Sequence, residues 1–366
     1  MAMIQTRKER FHNAITLKEC DKVPHGDMMV HEKLCAEMTN IHLPEDEKNA
    51  LQAWVCDKLS EENFQRHVMC RNLMNFDYVM VFPREEPIDY SVSKDGIEYV
   101  KNVWGVVTAN SVEVTHYAEP PIKGPGEITK YEFPKPTDFI YDNMERWIKE
   151  TDFAVLPQLD CGFFKINQLT GFEQYMEYIL DYPNEMHELM EKYTEFECAM
   201  VDHLIGLGVD CILLANDYAY NNGCFIHPQM LWDFDYQYTK RIVEYSHSKG
   251  KPVAMHACGN QTQIMKMIVE SGLDAIQSLQ PTAHNDIYEY KKEYGKDICL
   301  MGNMDINQLM PKGSPYEVDL KIKEMVEKLW YDRTGWILGT ANLLNIDIPV
   351  KNALTMHLSI EKYGRP

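Results

Sequence analysis

The stretch KPVAMHACGN (251–260) sets a histidine and a cysteine two positions apart, His256 and Cys258, and stops on a glycine. An imidazole nitrogen and a thiolate sulfur make a borderline-soft donor pair that suits zinc. The pair is only half of a tetrahedral set, so it also reads as a hydrogen-bonded histidine beside a buried thiol. If the run is extended, side chains alternate with period two. Ala254, His256 and Cys258 then share one side, and Val253, Met255 and Ala257 share the other. Both donors point the same way, and the choice between the readings depends on the element that carries them.

Short apolar runs alternate with long amphipathic stretches, the pattern of parallel strands joined by helical crossovers. Eight strands are expected, at 22–30, 76–82, 153–160, 209–217, 251–259, 273–280, 297–303 and 335–340. Helical patterns lie between them, including 173–208, broken at Pro183, and 228–250. This reads as an α/β fold, a (β/α)8 TIM barrel forming a single domain over residues 1–366. One section interrupts the alternation: YSVSKDGIEYVKNVWGVVT (90–108) carries a Lys-Asp-Gly turn between β-rich segments, followed by a Pro/Gly-rich loop. It predicts a β-hairpin and loop inserted at 88–136, near the barrel mouth. Barrel chemistry sits at the C-terminal ends of the strands, and the fifth run ends there on Gly259, which places His256 and Cys258 in the catalytic layer.

Charge narrows the partners. Thirty-six basic residues against 56 acidic ones give a formal charge of −20, which opposes nucleic acid or an anionic membrane surface as the main partner. No apolar run approaches the roughly 18 residues of a membrane span, and the N-terminus does not read as a signal peptide. A cytoplasmic protein is expected. The ten cysteines are scattered, as expected of reduced thiols and not of a disulfide scaffold. The aromatic run WDFDYQY (232–238) has the spacing of a helix packed on a core, and the 22 methionines read as core filler.

The residues around the pair also carry a resemblance. NDYAYNNGCFIHPQMLWDFDYQYTKRIVEYSHSKGKPVAMHACGN, then IVESGLDAIQSLQP, YGKDICLMGNMDINQLMPKGSPYEV and IPVKNALTMHLSIEKYG, resemble the uroporphyrinogen decarboxylase superfamily, and within it the branch of corrinoid-dependent methyltransferases. The resemblance runs from about Gly206 to Gly364 and is faint before it. It implies a (β/α)8 barrel and one of two activities. The decarboxylases remove carboxyl groups from a tetrapyrrole without metal or cofactor; the methyltransferases move a methyl group between a corrinoid protein's cobalt and a small donor or acceptor. A polycarboxylate substrate calls for bidentate arginines. The chain has nine arginines in all, and the family's arginine-rich region reads HGDMMVHEKLCAEM here, with none. The methyltransferase reading is therefore preferred.

In that branch the resemblance implies zinc on His256 and Cys258 and on a second cysteine near the last strand. No cysteine follows Cys299, and the last strand reads GWILGTANLLNID. Candidates to replace it are Asp217, Asp160, Cys161 and Asn342, with Asp217 best placed because AND ends the adjacent strand. A site with one thiolate is harder and richer in oxygen, which favours polarising an oxygen-bound methyl group, as in a methyl ether, over activating a thiol. Further candidates in the same layer are His31, a proton donor or a solvated loop histidine; Gln277 and Gln280 after the sixth strand; and Asn303 and Asp305 after the seventh. The catalytic candidates are thus His31, Asp217 and Asn303, and the cofactor-facing ones Gln277, Gln280 and Asn342. The corrinoid is expected on a separate partner protein, since no cobalamin-binding segment is evident. The alternatives are a methylcorrinoid:thiol methyltransferase, a decarboxylase, and a metal-free, non-catalytic partner of a corrinoid protein.

Overall fold

The computed structural model describes residues 4–43, 59–94, 96–110 and 115–365. Seven strands form one parallel sheet: β1 (Tyr78–Val81), β6 (Ala154–Asp160), β7 (Ile212–Ala215), β10 (Val253–Ala257), β11 (Ala275–Ser278), β12 (Cys299–Met301) and β13 (Trp336–Ile337), in that spatial order. Tyr78–Val81, Ile212–Ala215 and Val253–Ala257 are buried throughout. Their near-continuous apolar runs are what a sheet covered on both faces requires. Each of these strands falls inside a run expected from sequence.

The first expected strand, 22–30, is different. It forms no continuous ladder and pairs through isolated parallel bridges, His25 with Leu338 and Val30 with Leu344. Pro24 lacks an N–H and can only accept, here from Leu338 N at 2.9 Å. On its other side the His25 carbonyl accepts from Asp77 N at 2.9 Å, just before β1. The segment is thus hydrogen-bonded to the neighbourhoods of both outer strands of the sheet. Backbones meet closely at this seam: a side chain on Gly339 would put its Cβ 2.7 Å from the Gly26 carbonyl oxygen.

The helices follow the punctuation. Pro183 ends the helix Phe172–Asp181 and starts Pro183–Leu207 as its first residue, where a missing N–H costs nothing. The 228–250 stretch begins as a helical turn, Pro228–Leu231, loosens into a π turn at Trp232–Tyr236 and continues as Gln237–Ser248. Phe234, Tyr236 and Tyr238 are buried, so the aromatic run packs on the sheet as its spacing predicts. The π turn presents Asp235 inward, where it accepts from Phe163 N (3.0 Å), Asn216 Nδ2 (2.7 Å) and Thr239 Oγ1 (2.9 Å). That carboxylate ties the helix Gly162–Thr170, after β6, to the loop after β7, which carries the short antiparallel pair β8 (Ala219–Tyr220) and β9 (Gly223–Cys224).

The insertion is larger than the expected hairpin. Strands β2 (Asp89–Val92), β3 (Glu98–Lys101), β4 (Val107–Asn110) and β5 (Thr115–Glu119) form a four-stranded antiparallel sheet, followed by short 3-10 turns at Pro125–Lys130 and Pro136–Asp138. Only β2 and β3 flank the Lys-Asp-Gly turn that signalled it; β4 and β5 extend the same meander but are short and carry no apolar alternation. Trp104, between β3 and β4, stacks on the Lys165 ammonium at 4.3 Å and donates to Glu85 at 2.8 Å. Lys165 in turn pairs with Asp160 at the end of β6, at 3.3 Å. The insertion therefore meets the C-terminal ends of the strands. Among the described residues, no helix is long and apolar enough to cross a membrane.

Candidate metal centre

The parallel ladders put Ala215, His256, Gln277, Met301 and Ile337 in one row across β7, β10, β11, β12 and β13. Side chains just beyond this row, at the strand ends, converge. His256 Nε2 lies 3.4 Å from Cys258 Sγ and 3.8 Å from Asp217 Oδ1. Donor atoms of Asp217, His256 and Cys258 all lie within 4.8 Å of one another, the one such His/Cys/acid group among the described residues. Tetrahedral zinc with bonds of about 2.0–2.3 Å sets its ligand atoms roughly 3.3–3.8 Å apart. The two distances from His256 Nε2, to sulfur and to oxygen, fall in that range.

Local chemistry orients each donor. Gln277, level with His256 on β11, accepts from His256 Nδ1 through Oε1. In the neutral ring this leaves Nε2 as the lone-pair nitrogen aimed at Cys258 and Asp217, the arrangement a histidine ligand needs. Both side chains are nearly sealed from solvent, His256 at 6 % exposure and Gln277 at 3 %. In the metal-free protein, burial opposes the imidazolium, but the charge of Cys258, its hydrogen bond, Asp217 and Gln277 outweigh it and raise His256 to a pKa of about 9. Asp217 is set by the loop after β7: Asn216 N bonds the His256 carbonyl at 2.9 Å, and Asp217 Oδ1 accepts from Cys258 N at 2.8 Å. The backbone turns away at Gly259, whose φ of +83° and contact with Ala219 leave no room for a side chain, since a Cβ would sit 2.5 Å from the Ala219 carbonyl oxygen.

The remaining candidates divide. Asn342, after β13, reaches the centre and donates from Nδ2 to Cys258 Sγ at 3.2 Å. Asn303 is buried close by and donates to the Leu279 carbonyl at 2.9 Å, bracing the loop after β11. Gln280 turns away to Thr282 Oγ1 at 3.1 Å. His31 caps the helix Glu32–Thr39, its Nδ1 accepting from Lys33 N at 3.2 Å. Burial and Lys33 lower its pKa, and none of its hydrogen bonds reaches the centre. Asp305 caps the following turn, accepting from Asn307 N and Leu309 N. Asp160 is engaged by Lys165, and Cys161 is buried outside the cluster.

One residue went unnoticed in the sequence. Asp27, on the first segment, is fully buried; its Oδ1 accepts from Thr340 N (2.9 Å) and from Thr340 Oγ1, two residues before Asn342. Among the described residues its Oδ2 has no hydrogen-bond partner, and burial raises its carboxyl to a pKa of about 7 against the Thr340 hydrogen bonds. Only an acid within a strand-like apolar run, HGDMMV, hinted at it.

The centre is thus a nitrogen, sulfur and oxygen donor set at the strand ends of a parallel α/β sheet. The family description Uroporphyrinogen decarboxylase (URO-D) matches residues 107–363, and the chain belongs to that family. It is 22% identical over 198 residues to the methylated-thiol–coenzyme M methyltransferase of Methanosarcina mazei, an alignment that takes in 54% of this chain. The chain spans about half the length of that relative, 50%. A solved methyltransferase from Methanosarcina mazei has the same fold, with a TM-score of 0.74 at 14% identity over 98% of this chain and 99% of that one.

Proposed function

We propose that this chain is a corrinoid-dependent methyltransferase that moves a methyl group between a small O-methyl compound, such as a methyl ether, and the cobalt of a corrinoid carried by a separate protein. We take residues 1–366 as a single (β/α)8 barrel, with 22–30 as its eighth stave. The observation that carries the reading is the convergence of Asp217, His256 and Cys258 at the strand ends. These three would hold zinc, which when bound supplies Lewis acidity toward an oxygen or sulfur atom of the substrate. Gln277 holds the Nδ1 proton of His256 so that Nε2 is the nitrogen offered to a metal, the Cys258 N–H fixes one oxygen of Asp217, and Asn303 stiffens the neighbouring loop. The chain's part is positioning, with the hard chemistry left to the cofactor.

A single sulfur beside an oxygen and a nitrogen is a harder donor set than one with two thiolates, which favours an oxygen-bound methyl group. The second reading, a thiol acceptor, is supported by the activity of the Methanosarcina relative, a methylated-thiol–coenzyme M methyltransferase. Decarboxylation of a polycarboxylate is disfavoured because the arginines are used elsewhere. Eight of the nine pair with carboxylates of the fold, on Asp152, Asp21, Glu32, Asp142, Glu61, Glu191, Glu19 and Glu361.

The test is elemental analysis of the purified protein beside His256→Ala and Cys258→Ala, with methyl transfer from methyl ethers and methylated thiols to cob(I)alamin. About one zinc per chain, lost in both variants together with transfer, is expected. A wild type that neither carries nor takes up zinc overturns the metal reading, and would return the pair to the core of a metal-free decarboxylase or a scaffold.

A further inference from the structure

Asn342 stands near the last strand, where the uroporphyrinogen decarboxylase resemblance implies a second cysteine ligand. The backbone leading into it is pinned at three points. Thr340 N donates to Asp27 Oδ1 at 2.9 Å, Ala341 N to the Met304 carbonyl at 2.8 Å, and the Ala341 carbonyl accepts from Ser278 Oγ at 2.5 Å. The loop has little freedom to re-aim the side chain, and the carboxamide presents its N–H, at 3.2 Å, to Cys258 Sγ. An amide nitrogen has its lone pair delocalised and does not ligate zinc. Ligation through the amide oxygen would need the carboxamide to turn over and give up the contact with sulfur.

We propose that Asn342 is a positioning residue for the Cys258 sulfur and stays outside the metal's ligand set. It fixes the direction of the Cys258 sulfur, while the position a second thiolate would fill is left to substrate. The proposal rests on the metal reading above. A charge-assisted hydrogen bond to the one sulfur donor also withdraws electron density from it. This makes Cys258 a poorer nucleophile and keeps it from taking the methyl group itself.

The test uses cobalt(II) as probe, titrated into the chelator-stripped full chain and into Asn342→Ala, Asn342→Asp and Asn342→Ser. The readouts are affinity, from competition with a chromophoric chelator, and the near-ultraviolet thiolate-to-cobalt absorption. A lost outer-shell contact costs about 10–100-fold in metal affinity. Asn342→Ala is expected to weaken cobalt by about that factor, keep the thiolate band's intensity and move it to lower energy. Asn342→Asp, the same size but presenting a carboxylate to a thiolate, is expected to bind more weakly than Asn342→Ala; Asn342→Ser, which keeps a donor, regains part of the loss. Tighter binding by Asn342→Asp than by wild type makes residue 342 a ligand and overturns the proposal while leaving the metal reading intact. An unshifted band in Asn342→Ala overturns it equally. Failure of the wild type to bind cobalt or zinc overturns the metal reading and the proposal together.

Discussion

Replacing Gln277 by leucine tests the centre at its least exposed point. The change keeps the volume and removes the Oε1 acceptor of His256 Nδ1. With His256 6 % exposed and Gln277 3 % exposed, water cannot readily take the acceptor's place. A buried N–H left without a partner costs about 1–3 kcal/mol, and that is the expected loss of stability in urea unfolding of the metal-stripped protein. The imidazole proton is then free to move to Nε2, which faces Cys258 Sγ at 3.4 Å and Asp217 Oδ1 at 3.8 Å. A proton there blocks ligation, so zinc affinity, measured by competition with a chromophoric chelator, should fall by roughly 10–100-fold. Gln277→Glu keeps an acceptor and should bind zinc at least as tightly as wild type. Unchanged stability and zinc affinity in Gln277→Leu would refute the argument that this contact selects the tautomer, as would a glutamate variant that behaves like the leucine one.

Asp27→Asn should change how stability depends on pH. A carboxyl held at about 7 in the fold, against an ordinary 3.8, contributes stability that is complete below 3.8 and lost as pH rises through about 7. The neutral variant removes that loss, on the order of 4 kcal/mol, so urea unfolding at pH 5 and pH 8 should show the wild type falling relative to the variant; parallel profiles would count against it. Gly259→Ala forces an L residue to φ +83° with its Cβ 2.5 Å from the Ala219 carbonyl oxygen. It should lower stability by more than about 1 kcal/mol and displace Cys258, read as a lower Tm together with weaker zinc binding. Asp217→Ala removes both an oxygen donor and the acceptor of Cys258 N–H at 2.8 Å. It should keep its circular dichroism and lose zinc affinity by at least about tenfold; undiminished affinity would exclude Asp217 from the ligand set.

Much of the scaffold follows from local pattern. The apolar runs at 76–82, 153–160, 209–217, 251–259, 273–280, 297–303 and 335–340 each contain a strand, and Pro183 divides two helices as its chemistry demands. Period-two alternation is sufficient to put His256 and Cys258 on one side, and adjacency of consecutive parallel strands brings Asp217 beside them. The strand expected at 22–30 is the exception: Pro24 has no N–H to give to a ladder, and the segment pairs only through isolated bridges. The insertion escaped local pattern because two of its four strands, Val107–Asn110 and Thr115–Glu119, lack a distinctive apolar alternation.

What sequence by itself determined, then, is which donors exist and which way each points along its own strand. Tertiary structure decided their company. The level of Gln277 against His256 is a matter of register between two strands separated by a whole helix, and the hydrogen-bond ladder that sets it is not written in either run. Asn342 meets Cys258 across 84 residues of chain, and Asp27 meets Thr340 across 313. Such meetings depend on how the sheet curls until its last strand reaches the first segment, a sum of small twists over all the strands that no single stretch encodes.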